Sequence, residues 1–360
     1  MTLAANIEIK GWCPGALRPM PSGDGLLVRL KPWCGAFERE AVLVLADLAE
    51  RLGNGHIDLT RRANLQIRGV REVDLPELHD VLRRHGLLDR DAGTEAGRNI
   101  MVGPLAGLDP AAMDVRRIAR ELAGRLASDE RLQDLPAKFG FLVDGGGAVS
   151  IAGERADVAL VAMGGDIAVA SRGVWLGTTP PDRAAADAQA VARGETPELA
   201  PLAAKPLARS VRRLGELEGG VVGLAAPFGR LEPWQLRKLA EAADSDIRLA
   251  PWRAVYFRGP TPDIGLIADP ANPLLRVDAC PGAPACASSS VDTRRLAVAI
   301  AAKGPRGTVH VSGCAKGCAR TEPADLVLVG EGGGYGVVRN GTARDPIERT
   351  VDAAEAVACV

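Results

Sequence analysis

This chain of 360 residues has no apolar run approaching the ~18 residues that a membrane-spanning helix requires. It also has no block of like charge, and its formal net charge is −1. A footprint for nucleic acid or for an anionic membrane is therefore missing. Residues 1–10 carry Glu8 and no apolar signal core, so export is not expected, and the expected compartment is a reducing cytoplasm. Histidine is scarce: His56, His79, His85 and His310 are scattered, and their spacing identifies no 2-His-1-carboxylate iron site. His79 and His85 fall on an amphipathic helix expected at 75–88. His310 reads as a packed strand histidine, with an approach to the cysteine loop that follows it as the alternative. No nucleotide fingerprint or flavin motif is evident, and Gly145-Gly146-Gly147 reads as a hairpin turn.

What is present is a globular composition, 47% hydrophobic and 25% charged, in a chain too long for one ordinary core. The seven cysteines are Cys13, Cys34, Cys280, Cys286, Cys314, Cys318 and Cys359. The number is odd, and four of them crowd into 39 residues. Without an export signal, that clustering points to a metal site rather than a disulfide framework.

The chain repeats itself. Residues 324–341 read ADLVLVGEGGGYGVVRNG and residues 156–173 read ADVALVAMGGDIAVASRG, a gap-free alignment with 8 of 18 positions identical. Both read as strand, Gly-Gly turn, strand. A second pair is weaker: IDLTRRANLQIRG at 57–69 and IRLAPWRAVYFRG at 247–259. Upstream of each lie an apolar strand (26–30; 221–225), a proline and a glycine (Pro32 and Gly35; Pro227 and Gly229) and an amphipathic helix (37–52; 233–243). The switch from period 2 to period 3.6 makes these β-α-β units. The order is A, B, A′, B′, with 178–205, rich in Pro, Ala and charge, expected as the linker between halves. A duplicated unit of this kind is expected to pair with its copy about a pseudo-twofold axis, where a large ligand commonly sits.

Cys280 and Cys286 stand in ACPGAPACASSS, spaced C-x5-C; Cys314 and Cys318 stand in SGCAKGCAR, spaced C-x3-C, directly after a strand expected at 307–311. Both loops are rich in Gly, Pro and Ala. A cubane cluster is bulky, and its sulfides accept hydrogen bonds from backbone N–H groups that only a side-chain-poor loop brings close. Four thiolates complete the ligand set of a [4Fe–4S] cluster. A zinc site with four cysteine ligands is the alternative, but its knuckles usually space ligands C-x2-4-C. The corresponding part of copy B, 139–151, has no cysteine. Cys13 (WCPGA) and Cys34 (PWCGA) read as buried inert thiols, with a second metal pair as the alternative. Cys359 reads as idle.

With these residues in hand, the chain resembles the sirohaem-type nitrite and sulfite reductase superfamily over nearly its whole length. The C-x5-C and C-x3-C pattern is that superfamily's cluster signature. The resemblance implies an α+β fold. Two ferredoxin-like half-repeats (1–90 and 179–265, the latter with the linker) are related by a pseudo-twofold. Two α/β hairpin-bearing modules (91–178 and 266–360) accompany them, the second carrying the cluster. In those reductases the last cysteine also bridges the cluster to the haem iron, a role that would fall on Cys318. The closer resemblance is to the precorrin-3B synthase family of aerobic cobalamin biosynthesis, carried by CPGALRPMPSGDGLLVRL (13–30) and TRRANLQIRG (60–69). That family implies binding of precorrin-3A, its hydroxylation with O2 and closure of a γ-lactone. It also implies a [4Fe–4S] cluster and a further non-haem iron whose ligands the sequence does not identify.

A precorrin carries a ring of carboxylates, and arginine suits bidentate carboxylate pairing. By resemblance Arg62 matches the arginine of a T-x-R-x-N-x-Q pattern. Asn64, Gln66 and Arg68 share its segment, and Arg98 with Asn99 (GRNIMVG) matches another tetrapyrrole-contacting stretch. The reductases' LP-x-K-x-K segment reads LPAKFG at 135–140, keeping Lys138 but placing Gly140 at the second lysine. The loss of that cation weakens a site for sulfite or nitrite and opens space, which favours an oxygenase. The expected partners are precorrin-3A, O2, an external electron donor (reduced ferredoxin, flavodoxin, or NAD(P)H through a reductase) and the ring-contracting methyltransferase that follows. The rivals are a sirohaem nitrite or sulfite reductase, an iron–sulfur carrier or sensor without catalysis, and a zinc scaffold.

Overall fold

The computed structural model describes residues 12–132, 135–204, 206 and 209–360; residues 1–10 and Lys205, at the end of the expected linker, lie outside them. The first segment holds β1 (Met20–Ser22), β2 (Gly25–Leu30), β3 (Ala36–Glu38), α1 (Arg39–Arg51), β4 (Ile57–Leu59), β5 (Leu65–Val70), α2 (Leu75–Arg84) and α3 (Ala92–Gly97). The second holds β6 (Ile100–Val102), α4 (Arg116–Ser128), β7 (Phe141–Asp144), β8 (Val158–Met163), β9 (Asp166–Ser171), β10 (Val174–Thr179) and α5 (Ala184–Ala192). The third holds β11 (Gly215–Leu217), β12 (Val221–Ala225), β13 (Arg230–Leu231), α6 (Pro233–Ala242), β14 (Asp246–Ala250) and β15 (Ala254–Arg258). The fourth holds β16 (Val277–Ala279), α7 (Thr293–Ala302), β17 (Val309–Ser312), β18 (Ala324–Glu331), β19 (Gly334–Gly341), β20 (Arg349–Val351) and α8 (Ala353–Ala358).

These form four five-stranded sheets, and the A-B-A′-B′ duplication is legible in all of them. The A sheet runs β1-β2-β5-β4-β13 and the A′ sheet runs β11-β12-β15-β14-β3. Each half thus lends one short strand to its copy's sheet. β13 pairs with β4 (Leu231 opposite Ile57), and β3 pairs with β14 (Phe37 opposite Ile247). The exchange covers two sheet edges that would otherwise expose unpaired backbone. Helices α1 and α6 pack on each other, burying Val42, Leu45 and Leu48 from one and Leu236 and Leu239 from the other. Backbone strain is duplicated as well. Ala63 and Arg253 share φ near +53 and +62, and Cys34 and Phe228 share +52 and +53.

The B sheet runs β6-β7-β8-β9-β10 and the B′ sheet β16-β17-β18-β19-β20. In both, the first three strands are parallel and the rest antiparallel. The two hairpins turn on Gly164-Gly165 (φ +61, +98) and Gly332-Gly333 (φ +58, +86), a two-residue loop that needs φ > 0 twice. By packing, the chain divides into two compact units. Residues 12–20 and 27–268 make one; 21–26 and 269–360 make the other.

Three sequence expectations change. Gly145–Gly147 is not a hairpin turn, because β7 and β8 are parallel and the glycines open a crossover. The expected linker carries β10's end and α5, whose Ala184, Ala185 and Ala188 are buried in the B core. An alanine-rich helix with small side chains looks like a linker by composition, yet packs closely on α4. Finally, α2 stops at Arg84 rather than 88. Gly86 (φ +66) takes the left-handed position, with Leu87 N–H donating to Leu82 O and Gly86 N–H to Arg83 O.

Candidate functional site

In the B′ module the parallel strands end where the cysteines begin. Cys280 follows β16 and Cys314 lies two residues past β17, both buried; Cys286 is half-buried. Cys318 is exposed as a residue, yet its thiol is pushed up to about 11, by desolvation first and then by repulsion from Cys280, Cys314 and Cys286. The Cys314 thiol is also raised, by desolvation first, with Cys286 and Cys280 adding repulsion. The four sulfurs therefore share one neighbourhood. Gly313 N–H donates to Cys280 Sγ at 3.1 Å, and a side chain on Gly313 would collide with Ser289. At Gly282 a Cβ would lie 2.5 Å from Thr293 Oγ1, which itself donates to Cys280 O. The cradle is thus side-chain-poor by necessity, with backbone N–H aimed at sulfur.

Among the described residues, no three His, Cys, Asp or Glu side chains converge closely enough for one metal ion. A cubane asks instead for four thiolates around a bulky core, one per iron. The Cys314 and Cys318 thiols, raised by burial, fit such a group because iron replaces the protons that hold them neutral.

The second candidate region lies in the other compact unit, on the face of the A sheet away from α1. Glu95, buried on α3, accepts from Ala16 N–H (2.6 Å) and Leu17 N–H (3.0 Å) and so pins the CPGAL segment. Gly15 leaves room for that carboxylate. The segment brings Cys13 against the Arg29 guanidinium. Arg29 donates from Nε and Nη2 to Gln66 Oε1 at 2.9 and 2.8 Å. Its neighbour Arg62 donates from Nη1 to Arg155 O at 2.7 Å, while its Nη2 is buried without a hydrogen-bond partner. Burial is the largest cause lowering both guanidinium pKa values; the Arg62 charge adds to the lowering at Arg29, whereas Asp157 and Glu154 oppose it at Arg62. A pair of desolvated guanidiniums with an unsatisfied N–H offers donors of the kind that suit a carboxylate.

Gly140 completes that corner. A Cβ there would fall on Arg62 Nη2 and lie 3.1 Å from Asn99 Nδ2, which donates to Phe139 O. The space expected to stand open at Gly140 is therefore filled by the Arg62 guanidinium. Lys138, two residues earlier, is exposed. Asn64 is buried, and its backbone closes the turn with Thr60.

Two sequence candidates serve the protein's own carboxylates. Arg68 is 2% exposed and pairs with Asp58 at 3.1 Å. Arg98 makes a two-pronged pair with Asp89 (3.0 and 2.8 Å) and lies 3.8 Å over the Trp33 ring. Removing one partner of a buried pair strands the other, so Arg98→Ala is expected to cost about 3–5 kcal/mol of folding stability in urea denaturation. On the A′ sheet the matching polar groups are closed on backbone carbonyls. Arg248 donates to Ala106 O (2.6 Å), Arg258 to Leu108 O (3.0 Å) and Tyr256 to Arg213 O (2.7 Å).

A profile described as "Nitrite/Sulfite reductase ferredoxin-like half domain" matches residues 18–85, which span the Arg29 and Arg62 region. A precorrin-3B synthase from a Sinorhizobium species is 32% identical over 93% of this chain and 83% of its own length. This chain belongs to the precorrin-3B synthase family. A ferredoxin–nitrite reductase of Synechococcus elongatus is 27% identical over 87% of the chain and 77% of the relative. The structure of Mycobacterium tuberculosis NirA protein matches at a TM-score of 0.71 and 19% identity, covering 92% of this chain and 78% of that one, a likeness of fold.

In this member of the precorrin-3B synthase family, sequence motifs alone miss Arg29 and Lys31, and they single out Gly140 without its role at Arg62. The available signal was a charged residue alternating with Val28 and Leu30 on an otherwise apolar strand. Lys31 donates to Glu95 O and to Ala96 O, and its ammonium pKa falls to about 8, by desolvation first and then by the Arg98 charge. A lysine depressed on folding contributes stability above its unfolded pKa and loses it as pH falls through the folded value. Stability should therefore rise between pH 8 and about 10.5 by at most ~3 kcal/mol. Lys31→Gln should flatten that segment of a urea-denaturation pH profile.

Proposed function

We propose that the chain is an oxidoreductase that hydroxylates precorrin-3A with O2 and closes a γ-lactone on it, with electrons relayed through a [4Fe–4S] cluster on Cys280, Cys286, Cys314 and Cys318. The observation that carries this reading is the 32% identity to a precorrin-3B synthase over nearly the whole chain, with the four cysteines gathered in one cradle. When bound, the cluster supplies one-electron relay from an external donor such as reduced ferredoxin, flavodoxin or a reductase.

The chain's own residues bind and orient. Arg62, with its unsatisfied Nη2, and Arg29, held by Gln66, take ring carboxylates. Arg155 O, accepting from Nη1, and the bare Cα of Gly140 fix the position of the Arg62 tip. Placement of this kind supplies much of what a cofactor-driven reaction asks of a protein. Among the described residues no convergent ligand set for a mononuclear iron is present, so no step is assigned to a second iron. The product would pass to a ring-contracting methyltransferase.

The similarity to a ferredoxin–nitrite reductase supports a second reading, a sirohaem-dependent anion reductase. Anaerobic purification followed by iron and sulfide assay and acid-acetone extraction of pigment separates the two. A cluster spectrum with no extractable sirohaem, and a one-oxygen mass gain when precorrin-3A, reductant and O2 are added, is the expected result. Stoichiometric sirohaem with nitrite or sulfite turnover overturns it.

A further inference from the structure

Cys280 directly follows β16 and Cys314 lies two residues past β17, but Cys286 stands midway along the loop 280–292 that joins β16 to α7. That loop is built almost wholly of Gly, Pro, Ala, Ser and Cys. A cradle kept free of side chains has little of its own to bury, so what packs against it decides how firmly it is held. Part of the hold is internal. Cys286 N–H donates to Gly282 O (2.8 Å), Ser289 N–H to Cys286 O (3.0 Å) and Ala283 N–H to Val291 O (2.9 Å).

The rest comes from a distant piece of chain, the tip of the β1–β2 hairpin. Residues 21–26 pack in the same compact unit as 269–360. Ser22 Oγ donates to Ala285 O at 2.9 Å, across 263 residues of sequence. Beside it, Gly23 approaches the loop backbone closely. A Cβ there would lie 2.7 Å from Pro284 O, 2.8 Å from Ala287 N and 3.1 Å from Cys286 C. These are backbone atoms, which cannot swing aside as the end of a flexible side chain does, so only glycine permits the approach. Two adjacent hairpin residues thus bear on all four residues from Pro284 to Ala287.

We propose that Ser22 and Gly23 are positioning residues for the iron–sulfur cluster, clamping residues 284–287 so that the Cys286 thiolate is held ready for iron. This rests on the reading that Cys280, Cys286, Cys314 and Cys318 hold a cluster. The two residues act through the backbone that carries Cys286. Each opening of that loop exposes a ligand to water and to chelators, and losing one hydrogen bond raises the open population about 5-fold.

The test uses the full chain, purified anaerobically, and follows bleaching of the cluster chromophore by an iron chelator beside a urea-denaturation midpoint. Ser22→Ala should bleach about 5-fold faster than wild type at an unchanged urea midpoint, and Ser22→Thr, which keeps the hydroxyl, should restore the wild-type rate. Gly23→Ala must push the tip off the loop and should carry less iron and sulfide per chain than wild type. Should Gly23→Ala fail to fold, Ser22→Ala decides the matter alone. Bleaching of Ser22→Ala at the wild-type rate overturns the proposal, and so does faster bleaching that only follows a lowered urea midpoint. A wild-type protein devoid of iron and sulfide would instead refute the reading of the four cysteines. The clamp is then judged by the alkylation rate of Cys286 against that of Cys359: faster in Ser22→Ala supports it, and an unchanged ratio overturns it.

Discussion

Cys318→Ser leaves a folded chain without its native iron–sulfur chromophore and with turnover reduced at least ~100-fold. A serine hydroxyl is a far harder and more basic donor than a thiolate, so the cluster loses its fourth ligand and is either shed or converted to a form with fewer irons. The Cys318 thiol, pushed up to about 11 by desolvation and by three neighbouring sulfurs, stays protonated unless a cation compensates it. Ligation at this position is therefore strongly coupled to assembly of the whole set. The measurement is iron and sulfide content with the visible spectrum, beside turnover of precorrin-3A. Cys34→Ser and Cys359→Ser are the controls: Cys34 lies against Arg116 O and Cys359 near Arg349, and both variants should keep the chromophore. A Cys318→Ser protein with full cluster and full turnover would remove Cys318 from the ligand set.

Much of this fold was legible in the sequence because duplication preserves what physics requires twice. The Gly-Gly hairpins, the β-α-β units and the four crowded cysteines are all local patterns, readable from spacing alone. What escaped was non-local. β3 and β13 are three and two residues long and pair across the duplicated halves, so no periodicity announces them. α5 escaped because a small-residue helix buried by its packing partners has the composition of a spacer. At the site, Arg68 and Arg98 read correctly as basic, but their partners Asp58 and Asp89 decide what that charge does. Gly140 was legible as a missing cation, but its effect on Arg62 was not, for the opposite reason. Its meaning lies in the side chain it lacks, and only the position of Arg62 reveals it.

That position makes Gly140→Lys the sharpest probe of the proposed carboxylate site at Arg62. Adding a cation to a basic floor should, on charge alone, tighten a polyanionic macrocycle. Geometry predicts the reverse, because the new Cβ falls on Arg62 Nη2 and must turn the guanidinium away from Arg155 O. Arg62→Ala removes a charge-assisted hydrogen bond worth about 1.5–3 kcal/mol, so binding of a precorrin or an equivalent polycarboxylate porphyrin should weaken ~10–100-fold with iron content unchanged. Gly140→Lys should weaken it comparably. If both act through the same guanidinium, the double variant will be no worse than the weaker-binding single, since residues in contact are not additive. Absorbance titration of the macrocycle reads all three. Additive losses would mean that position 140 acts on the ligand directly, and unchanged binding in Arg62→Ala would take the arginine out of the site altogether.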